Sequence, residues 1–219
     1  MTEDPFPELV GRRLRALRAG TDRSLSSVAR EIGISASALS QIESGVLRPS
    51  VKRLIDIVGA LGVPVSAALD DARFAPRPET GSPPRTSEPL TGVHVALPPE
   101  ARLGDGVTYR RLTPVVIPGL DLYESTYPPG TSSSPDGEML VHHGYETGSV
   151  VRGELAFRFA DGVVRVPPGG SISFPATRPH RVQNETDEVA VAVWATVTDP
   201  VGSDETILPQ RNPHSAVNS

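Results

Sequence analysis

Six arginines fall within nineteen residues near the start of the chain, at Arg12, Arg13, Arg15, Arg18, Arg23 and Arg30. Guanidinium groups stay charged and present several donors, so a cluster of them suits phosphate oxygens. Residues 1–70 hold nine Lys and Arg against eight Asp and Glu, about +1, whereas the remainder holds twelve against eighteen, about −6. The overall charge of −5 therefore conceals a local basic patch.

The bulk composition limits the class of protein. A length of 219 residues allows two small domains, and 37% hydrophobic with 21% charged residues is typical of a soluble globular chain. No apolar run is long enough for a membrane helix, and the start MTEDPFPELV lacks the features of a signal peptide. With no cysteine, disulfides and thiolate metal sites are excluded. We therefore expect a cytoplasmic protein without a membrane partner.

The basic patch lies in a segment whose apolar residues recur at helical spacing. Serines stand where N-caps are needed and glycines where helices must end. The predicted helices are Leu9–Ala19, a second from the cap Ser24 to Gly33, Ala36–Glu43 after the cap Ser35 and before Gly45, Val51–Leu61 after Ser50, and a short fifth opened by Pro64. Two short helices joined by a tight turn within such a bundle are typical of a DNA-binding motif.

The stretch SLSSVAREIGISASALSQIESGVLRPSVKRLIDIVGALGV resembles the lambda-repressor-like (XRE-type) helix-turn-helix family over residues 9–70. The resemblance implies a double-stranded DNA operator as partner, with the third helix in the major groove. The base readers carried over are Ala36, Ser37, Ser40 and Gln41. Among them, Gln41 can pair bidentately with adenine, Ala36 offers a methyl contact to thymine, and the serines are permissive.

The same resemblance assigns supporting roles to other residues of this segment. Ser26, Arg23 and Arg48 are candidates for phosphate contacts, and Arg12 and Arg15 of the basic patch join them. Arg18 and Glu43 are expected to form a structural pair between the first and third helices. Because one such helix covers only a few base pairs, we expect a homodimer on two half-sites. The alternative for this segment is a helical bundle used for protein contacts.

After residue 70 the composition changes. Residues 71–91 are rich in Pro, Ser and Thr and predict a linker, residues 92–199 predict a β domain, and residues 200–219 a polar tail. The strand candidates are Val93–Leu97, Val107–Leu112, Leu120–Tyr127, Gly148–Arg152, Glu154–Phe159, Val163–Val166, Ser171–Phe174 and Val189–Thr198. About eight short strands separated by Pro and Gly turns favour an antiparallel jelly roll. The predicted fold class is thus a five-helix domain followed by an antiparallel β domain.

Two stretches of the β domain resemble the signatures of the cupin family. In HHGYETGSVVRGEL (142–155), Glu146 is followed by Gly153 at the spacing of the first motif. In GGSISFPATRPHRVQN (169–184), Pro175, His180 and Asn184 match the second motif, although Thr177 replaces a usual glycine. A helix-turn-helix joined to one cupin implies a transcription factor whose cupin senses a small-molecule effector.

The cupin resemblance also implies a metal-ligand set. Leu140 stands where the family has a first histidine, so His142, Glu146 and His180 remain. Two histidines and one carboxylate suit a divalent Fe, Mn or Zn ion with open coordination positions. The alternatives are a ligand pocket without metal, a salt bridge from Glu146 to Arg152 or Arg178, and a turn role for His180.

Three functions follow from these residues. The first is a ligand-responsive DNA-binding regulator, which is not an enzyme. The second is a mononuclear non-haem iron cupin enzyme, such as an epoxidase or dioxygenase, in which His142, Glu146 and His180 hold Fe(II). The third is a storage or scaffold cupin whose helical domain makes only protein contacts.

Overall fold

The structure is a computed structural model that describes residues 6–69, 100–114, 117 and 119–198. Five α-helices come first in the chain. They are α1 (Phe6–Ala19), α2 (Leu25–Glu31), α3 (Ala36–Glu43), α4 (Val51–Leu61) and α5 (Val65–Ala68). The five predicted helices are thereby confirmed, and only α1 begins earlier than the Leu9 start that the apolar spacing predicts.

Three helices begin at serine N-caps, two of which, Ser24 and Ser35, are predicted from the sequence. The hydroxyl of Ser24, Ser35 or Ser50 accepts a hydrogen bond from the backbone N–H three residues further on, at 3.0–3.2 Å. Each bond satisfies one of the donors that a helix N-terminus leaves unpaired. Gly33 and Gly45 adopt positive φ values of 70° and 77° just after α2 and α3, where the chain must turn away.

The close packing of α1 on the end of α3 depends on Gly11. A Cβ atom at this position would lie 2.4 Å from the carbonyl oxygen of Ile42 and 2.9 Å from the Gly45 nitrogen. These are backbone atoms, which cannot rotate away as a side chain can. Around this contact Leu14, Leu39 and Leu54 are fully buried.

The rest of the described chain folds into nine strands, all paired antiparallel. They are β1 (Ala101–Arg102), β2 (Thr108–Arg111), β3 (Leu120–Tyr127), β4 (Tyr145–Arg152), β5 (Leu155–Phe159), β6 (Gly162–Val166), β7 (Ser171–Pro175), β8 (His180–Gln183) and β9 (Ala190–Val197). A large sheet has the order β1-β2-β3-β9-β4-β7, and a small sheet the order β6-β5-β8. The predicted antiparallel β domain is confirmed.

Most of the predicted strands are present, with some corrections. Strand β3 matches its prediction, and β4 begins at Tyr145, three residues before the predicted Gly148. Strands β1 and β8 are not predicted from the sequence. They are two and four residues long, too short for a clear alternation of apolar and polar residues. The candidate Val93–Leu97, the linker 71–91 and the tail 200–219 lie outside the described residues.

Alternation along β3 and β9 builds the interior between the sheets. Every second residue of each strand is buried, so one face of the large sheet points inward. There Trp194 donates to Ser125 Oγ at 2.8 Å and lies against Gly148, where a Cβ would meet its ring at 2.4 Å. The glycine therefore makes room for the indole.

The helical and β domains contact each other directly. The backbone N–H of Lys52, in the first turn of α4, donates to the Ser133 carbonyl at 2.9 Å. The Gly104 N–H donates to the Pro49 carbonyl at 2.7 Å, and Lys52 Nζ lies 3.1 Å from Glu138. The two domains are thus connected by hydrogen bonds as well as by the chain between them.

Within the described residues, no helix combines the length and the apolar character required to span a bilayer.

The Gly11 contact yields a stability prediction. Gly11→Ala should lower the free energy of unfolding by about 1–3 kcal/mol, because an added Cβ overpacks a backbone contact. Gly59→Ala, in α4 with open space around it, is the matched control and should leave stability unchanged or raise it by about 0.5–1 kcal/mol. Urea unfolding followed by circular dichroism measures both, and equal effects would contradict the role of Gly11.

Candidate functional site

One face of α3 is exposed and carries the polar residues predicted to read bases. Ser37, Ser40 and Gln41 are exposed, whereas Leu39, Ile42 and Glu43 are buried. Ala36 is half-buried and packs against the core, so its methyl group is less available than the sequence suggests. The exposed face therefore presents one long polar side chain, that of Gln41, between two hydroxyls.

Arg18 holds the end of α3 against α1. Its Nε donates to Glu43 Oε1 at 2.6 Å and its Nη2 to Oε2 at 2.8 Å, a bidentate pair. Glu43 is only 5% exposed, so the pair is largely removed from solvent. Because two parallel bonds restrict direction as well as distance, the pair orients α3 relative to the rest of the bundle.

The predicted phosphate-binding residues differ in how available they are. Arg12 and Arg15 of α1 and Ser26 of α2 are exposed. Arg48 is half-buried. Arg23 already pairs with Glu31 and donates to the Ala60 carbonyl at 2.5 Å, so binding phosphate would require it to exchange partners. Exposed arginines on α1 are therefore better suited to phosphate than Arg23 is.

A second site lies in the β domain, where His142, Glu146 and His180 meet. Glu146 is on β4 of the large sheet and His180 begins β8 of the small sheet, while His142 is in the loop before β4. One ligand atom from each residue lies within 4.8 Å of the others, and Glu146 and His180 are 4% and 0% exposed. Because the ligands come from both sheets, the site exists only when the sheets pack.

The hydrogen bonds of the two histidines orient their ring nitrogens. His142 Nδ1 lies 3.2 Å from the His143 carbonyl oxygen, and His180 Nδ1 lies 2.9 Å from that of Arg178. A carbonyl only accepts, so Nδ1 carries the proton in both rings and Nε2 presents a lone pair when the ring is neutral.

Both Nε2 atoms point at the carboxylate. Among the described residues they are buried without a hydrogen-bond partner, and they lie 2.9 Å (His142) and 3.7 Å (His180) from Glu146 oxygens. Two lone pairs and a carboxylate, turned toward one another in a buried place, form a donor set that fits a divalent cation.

The electrostatics of the two histidines differ. Burial lowers the pKa of His142, but its contact with the Glu146 carboxylate and the charge of that group more than offset burial, so the pKa is raised overall. Burial lowers the pKa of His180, and the Glu146 charge offsets this only in part. Without a cation, Glu146 therefore favours a protonated His142 beside a neutral His180, and a bound cation would displace that proton.

Tyrosines line the interior beside this site. Tyr109, Tyr123 and Tyr127 are buried, and burial followed by neighbouring charges such as Glu146 raises the pKa of each phenol. They stay neutral at physiological pH and keep their hydroxyl protons. The hydroxyl of Tyr123 lies 3.5 Å from Thr196, whose strand pairs with Glu146. Nothing in the sequence marks these residues as neighbours of the site, because they belong to distant strands.

One alternative role for the cluster, a salt bridge from Glu146 to Arg178, is not observed. Arg178 pairs with Asp161 at 2.7 Å and lies over the Phe159 ring, so it does not neutralise Glu146. Leu140 occupies the fourth ligand position with a buried apolar side chain, and its backbone exchanges two hydrogen bonds with His180 at 2.7 and 3.0 Å. The leucine thus anchors His180 without offering a ligand.

Comparison with known proteins assigns both domains. Residues 14–67 match the family model described as Helix-turn-helix, and residues 123–196 match the one described as Cupin domain. The chain joins a helix-turn-helix domain to a cupin domain. No curated protein matches the chain.

Two solved structures match all or part of the chain. One is an HTH_3 family transcriptional regulator from Vibrio cholerae, 22% identical, with a TM-score of 0.62 over 89% of this chain and 97% of that chain. The other is the Cupin_2 domain of an XRE family transcriptional regulator from Enterobacter cloacae, 18% identical, with a TM-score of 0.37 over 43% of this chain and 97% of that chain. The first similarity extends over both the helix-turn-helix and the cupin domain. Because the two sequences are only 22% identical, it shows a similar fold and nothing about function.

The donor set of the cupin domain yields a prediction on metal binding. Titration of chelator-treated protein with Zn²⁺ or Mn²⁺ in a calorimeter should show one site, and His180→Ala should abolish it. His143→Ala is the control, since His143 is exposed beside His142 and should keep the site.

The same titration should depend on pH. Affinity should fall as pH decreases through the raised pKa of His142, because a proton then competes with the metal. Metal content below about a tenth of an equivalent after purification without chelator, together with no binding in the titration, would exclude a metal site.

Proposed function

We propose that this protein is a sequence-specific DNA-binding transcriptional regulator whose cupin domain senses a small-molecule effector. The DNA-binding part of the proposal rests on helix α3. This helix lies in the segment that matches the helix-turn-helix model, begins at a serine N-cap, and has Ser37, Ser40 and Gln41 on its exposed face. The exposed Arg12 and Arg15 on α1 provide charge for the phosphate backbone.

The composition of this face limits how the protein reads DNA. Gln41 can hydrogen-bond to both the N6 and N7 positions of adenine, whereas a serine hydroxyl donates or accepts and discriminates little. Much of the specificity must then come from DNA shape, phosphate contacts and the spacing of two half-sites. A homodimer provides that spacing.

The proposal predicts different effects for base-reading and phosphate-binding residues. A cognate duplex is first selected from a random library with the full-length protein. Gln41→Ala should cost about 1–3 kcal/mol on that duplex, roughly 5- to 150-fold in affinity, and little on random DNA.

Substitution of the phosphate-binding residues provides the contrast. Arg15→Ala should weaken both duplexes alike and reduce the salt dependence of binding by about one unit of slope. Fluorescence anisotropy across a salt series measures both effects. Equal losses on cognate and random DNA for Gln41→Ala would contradict the assigned base-reading face.

The sensing part of the proposal rests on the buried cluster of His142, Glu146 and His180. A divalent Fe, Mn or Zn ion there would be held by two Nε2 atoms and a carboxylate, leaving coordination positions for an oxygen-bearing effector. The neutral tyrosines beside the cluster offer hydroxyl groups to such a ligand. An effector held without metal would use the same polar groups.

The contacts between the domains provide a route for the signal. Segment 131–140 lies between the site and the helical domain: Leu140 is hydrogen-bonded to His180, and Ser133 exchanges bonds with Val182 of β8 at 2.9 and 3.1 Å. On its other side, the Ser133 carbonyl accepts from Lys52 at the start of α4. A shift of His180 would therefore be felt at α4 through one short segment, without requiring a rigid linker.

This route changes DNA affinity only if occupied and empty forms dock the domains differently. Gly104→Val tests it, because the added atoms would press on the backbone of Ser50 and Arg48, which lie 3.2 and 3.4 Å from an ideal Cβ. We expect the change in DNA affinity on adding Zn²⁺ to shrink toward none.

The control in this experiment is Gly104→Ala, which adds a single atom and should keep most of the response. Calorimetry should show unchanged Zn²⁺ affinity in both variants, so that loss of response is separated from loss of the site. A full response in Gly104→Val, with DNA affinity still dependent on Zn²⁺, would rule out signalling through this contact.

A metal-dependent cupin enzyme is the second candidate, favoured by the two-histidine, one-carboxylate donor set. Metal binding without any salt-sensitive DNA binding would favour the enzyme over the regulator. A protein that binds neither metal nor DNA would instead fit the scaffold function.

A further inference from the structure

The part of the outer face of the large sheet that lies around β9, β4 and β7 carries no charge among the described residues. On β9, Val193, Ala195 and Val197 point outward, since their neighbours in sequence are buried. Register places Tyr145, Thr147 and Ser149 of β4 beside them, and β7 continues the rows with Pro175, Ser173 and Ser171. On the other side of β9 lie Leu120 and Leu122 of β3. We call these eleven residues the uncharged face.

The uncharged face is unusual for this chain, in which 21% of residues are charged. Among the described residues, charged groups lie at its borders: Glu124, which pairs in register with Val193 and bonds to Arg110, on the β3 side, and Arg152 near the end of β4. A soluble surface normally mixes both signs of charge. An uncharged area inside a charged border has the anatomy of a protein interface.

The size of the face fits the centre of an interface. Eleven outward positions at the spacing of a β-sheet cover about 350 Å². The largest apolar patch on a typical monomer covers about 300–600 Å², so the size of the face alone does not distinguish it from an ordinary surface. The face is about half of the roughly 800 Å² that each partner buries in a standard interface, so the border residues must supply the remainder.

We propose that the uncharged face binds the same face of a second copy of this chain, deepening the regulator proposed above by naming its dimer interface. Two copies with a net charge of −5 each repel, and they meet at least cost where no charge lies. A partner of opposite charge would gain nothing from this face, which offers neither an ion pair nor steering.

The charges at the border of the face determine how the two copies are oriented in the dimer. A two-fold axis parallel to β9 and passing over Ala195 places β9 against β9, and β4 of one copy against β3 of the other. Arg152, paired in register with Val191, then comes opposite Thr126, one outward position along β3 from Glu124. The arginine of one copy and the glutamate of the other are then neighbours at both symmetry-related borders. The two large sheets pack face to face about 10 Å apart and bury the valines between them.

The face also leaves the DNA-reading surface available. Helices α1 and α5 contact the β domain at β1 and β3, on the side of the sheet away from β4 and β7, and the recognition helix α3 packs on α1 and α2. The recognition helices of both copies therefore lie outside the interface, as binding to two half-sites requires.

Two valines with nearly equal exposure provide the experiment. Val197, on the uncharged face, is 45% exposed, and Val164, on β6 of the small sheet, is 47% exposed. Light scattering after size exclusion, from nanomolar to high micromolar protein, should show a dimer for the wild type and for Val164→Glu. Val197→Glu should be monomeric, with a dimer dissociation constant raised at least a hundredfold.

A monomeric wild type over this whole range would overturn the proposal, and the face would then be covered by another part of the chain or by a different protein. A dimer that survives Val197→Glu, or that Val164→Glu disrupts, would overturn it as well. Circular dichroism checks that both variants fold.

An independent arm uses the absence of cysteine from the chain. Ala195→Cys places a single thiol at the proposed axis, so bismaleimidoethane should crosslink it to its own copy, while Val164→Cys should stay uncrosslinked. Failure of Ala195→Cys to crosslink would overturn the proposal even where Val197→Glu does not fold. A crosslinked dimer that binds no DNA would contradict the proposed regulator function but would still support the proposed dimer interface.

Discussion

Segment 131–140 is held by backbone hydrogen bonds on two sides, and the arrangement of the whole molecule depends on this double attachment. Its serines are buried although they are polar, because their polar groups bond to β8, to the start of α4, and to the carboxylates of Asp105 and Asp136. Unpaired polar groups at such depth would each cost about 1–3 kcal/mol. The segment therefore has few alternatives to the conformation it adopts, and that conformation joins His180 to the helical domain.

The same constraint explains how an unfavourable cluster can persist in the cupin domain. Burying a carboxylate such as Glu146 between two imidazoles costs free energy unless a proton or a cation compensates it. The packing of the two sheets provides that free energy, with Phe157, Phe174 and Trp194 in ring contact between them. The site is held in place by the core around it, which is the condition for binding a ligand without rebuilding the pocket.

In the helix-turn-helix domain, two contacts of α1 fix the orientation of α3. Gly11 brings the backbone of α1 close to the end of α3, and the bidentate pair of Arg18 and Glu43 restricts rotation. With only Gln41 as a long polar reader, a fixed helix angle and a fixed distance between two helices must carry much of the recognition. The uncharged face of the large sheet would set that distance, and for this reason the β domain matters to DNA binding as well as to sensing.

The sequence by itself determined the local features. The serine caps, the glycines after α2 and α3 and the apolar spacing predict the five helices because these signals act within a few residues. Spacing in the two motifs also singled out His142, Glu146 and His180. Alternation found β3 and β9, but β8 is too short to show a pattern, and β4 begins earlier because Tyr145 and Glu146 gain partners on β7 and β9.

Only the tertiary structure decided what depends on distant residues. No local signal tells that Arg23 is engaged by Glu31 and Ala60, that Ala36 is half-buried, or that tyrosines of β2 and β3 lie beside Glu146. The contact of Lys52 with Ser133 and the uncharged face likewise arise when strands far apart in the chain are placed in register. Propensity and spacing act along the chain, whereas burial, ion pairing and the meeting of two sheets act across it.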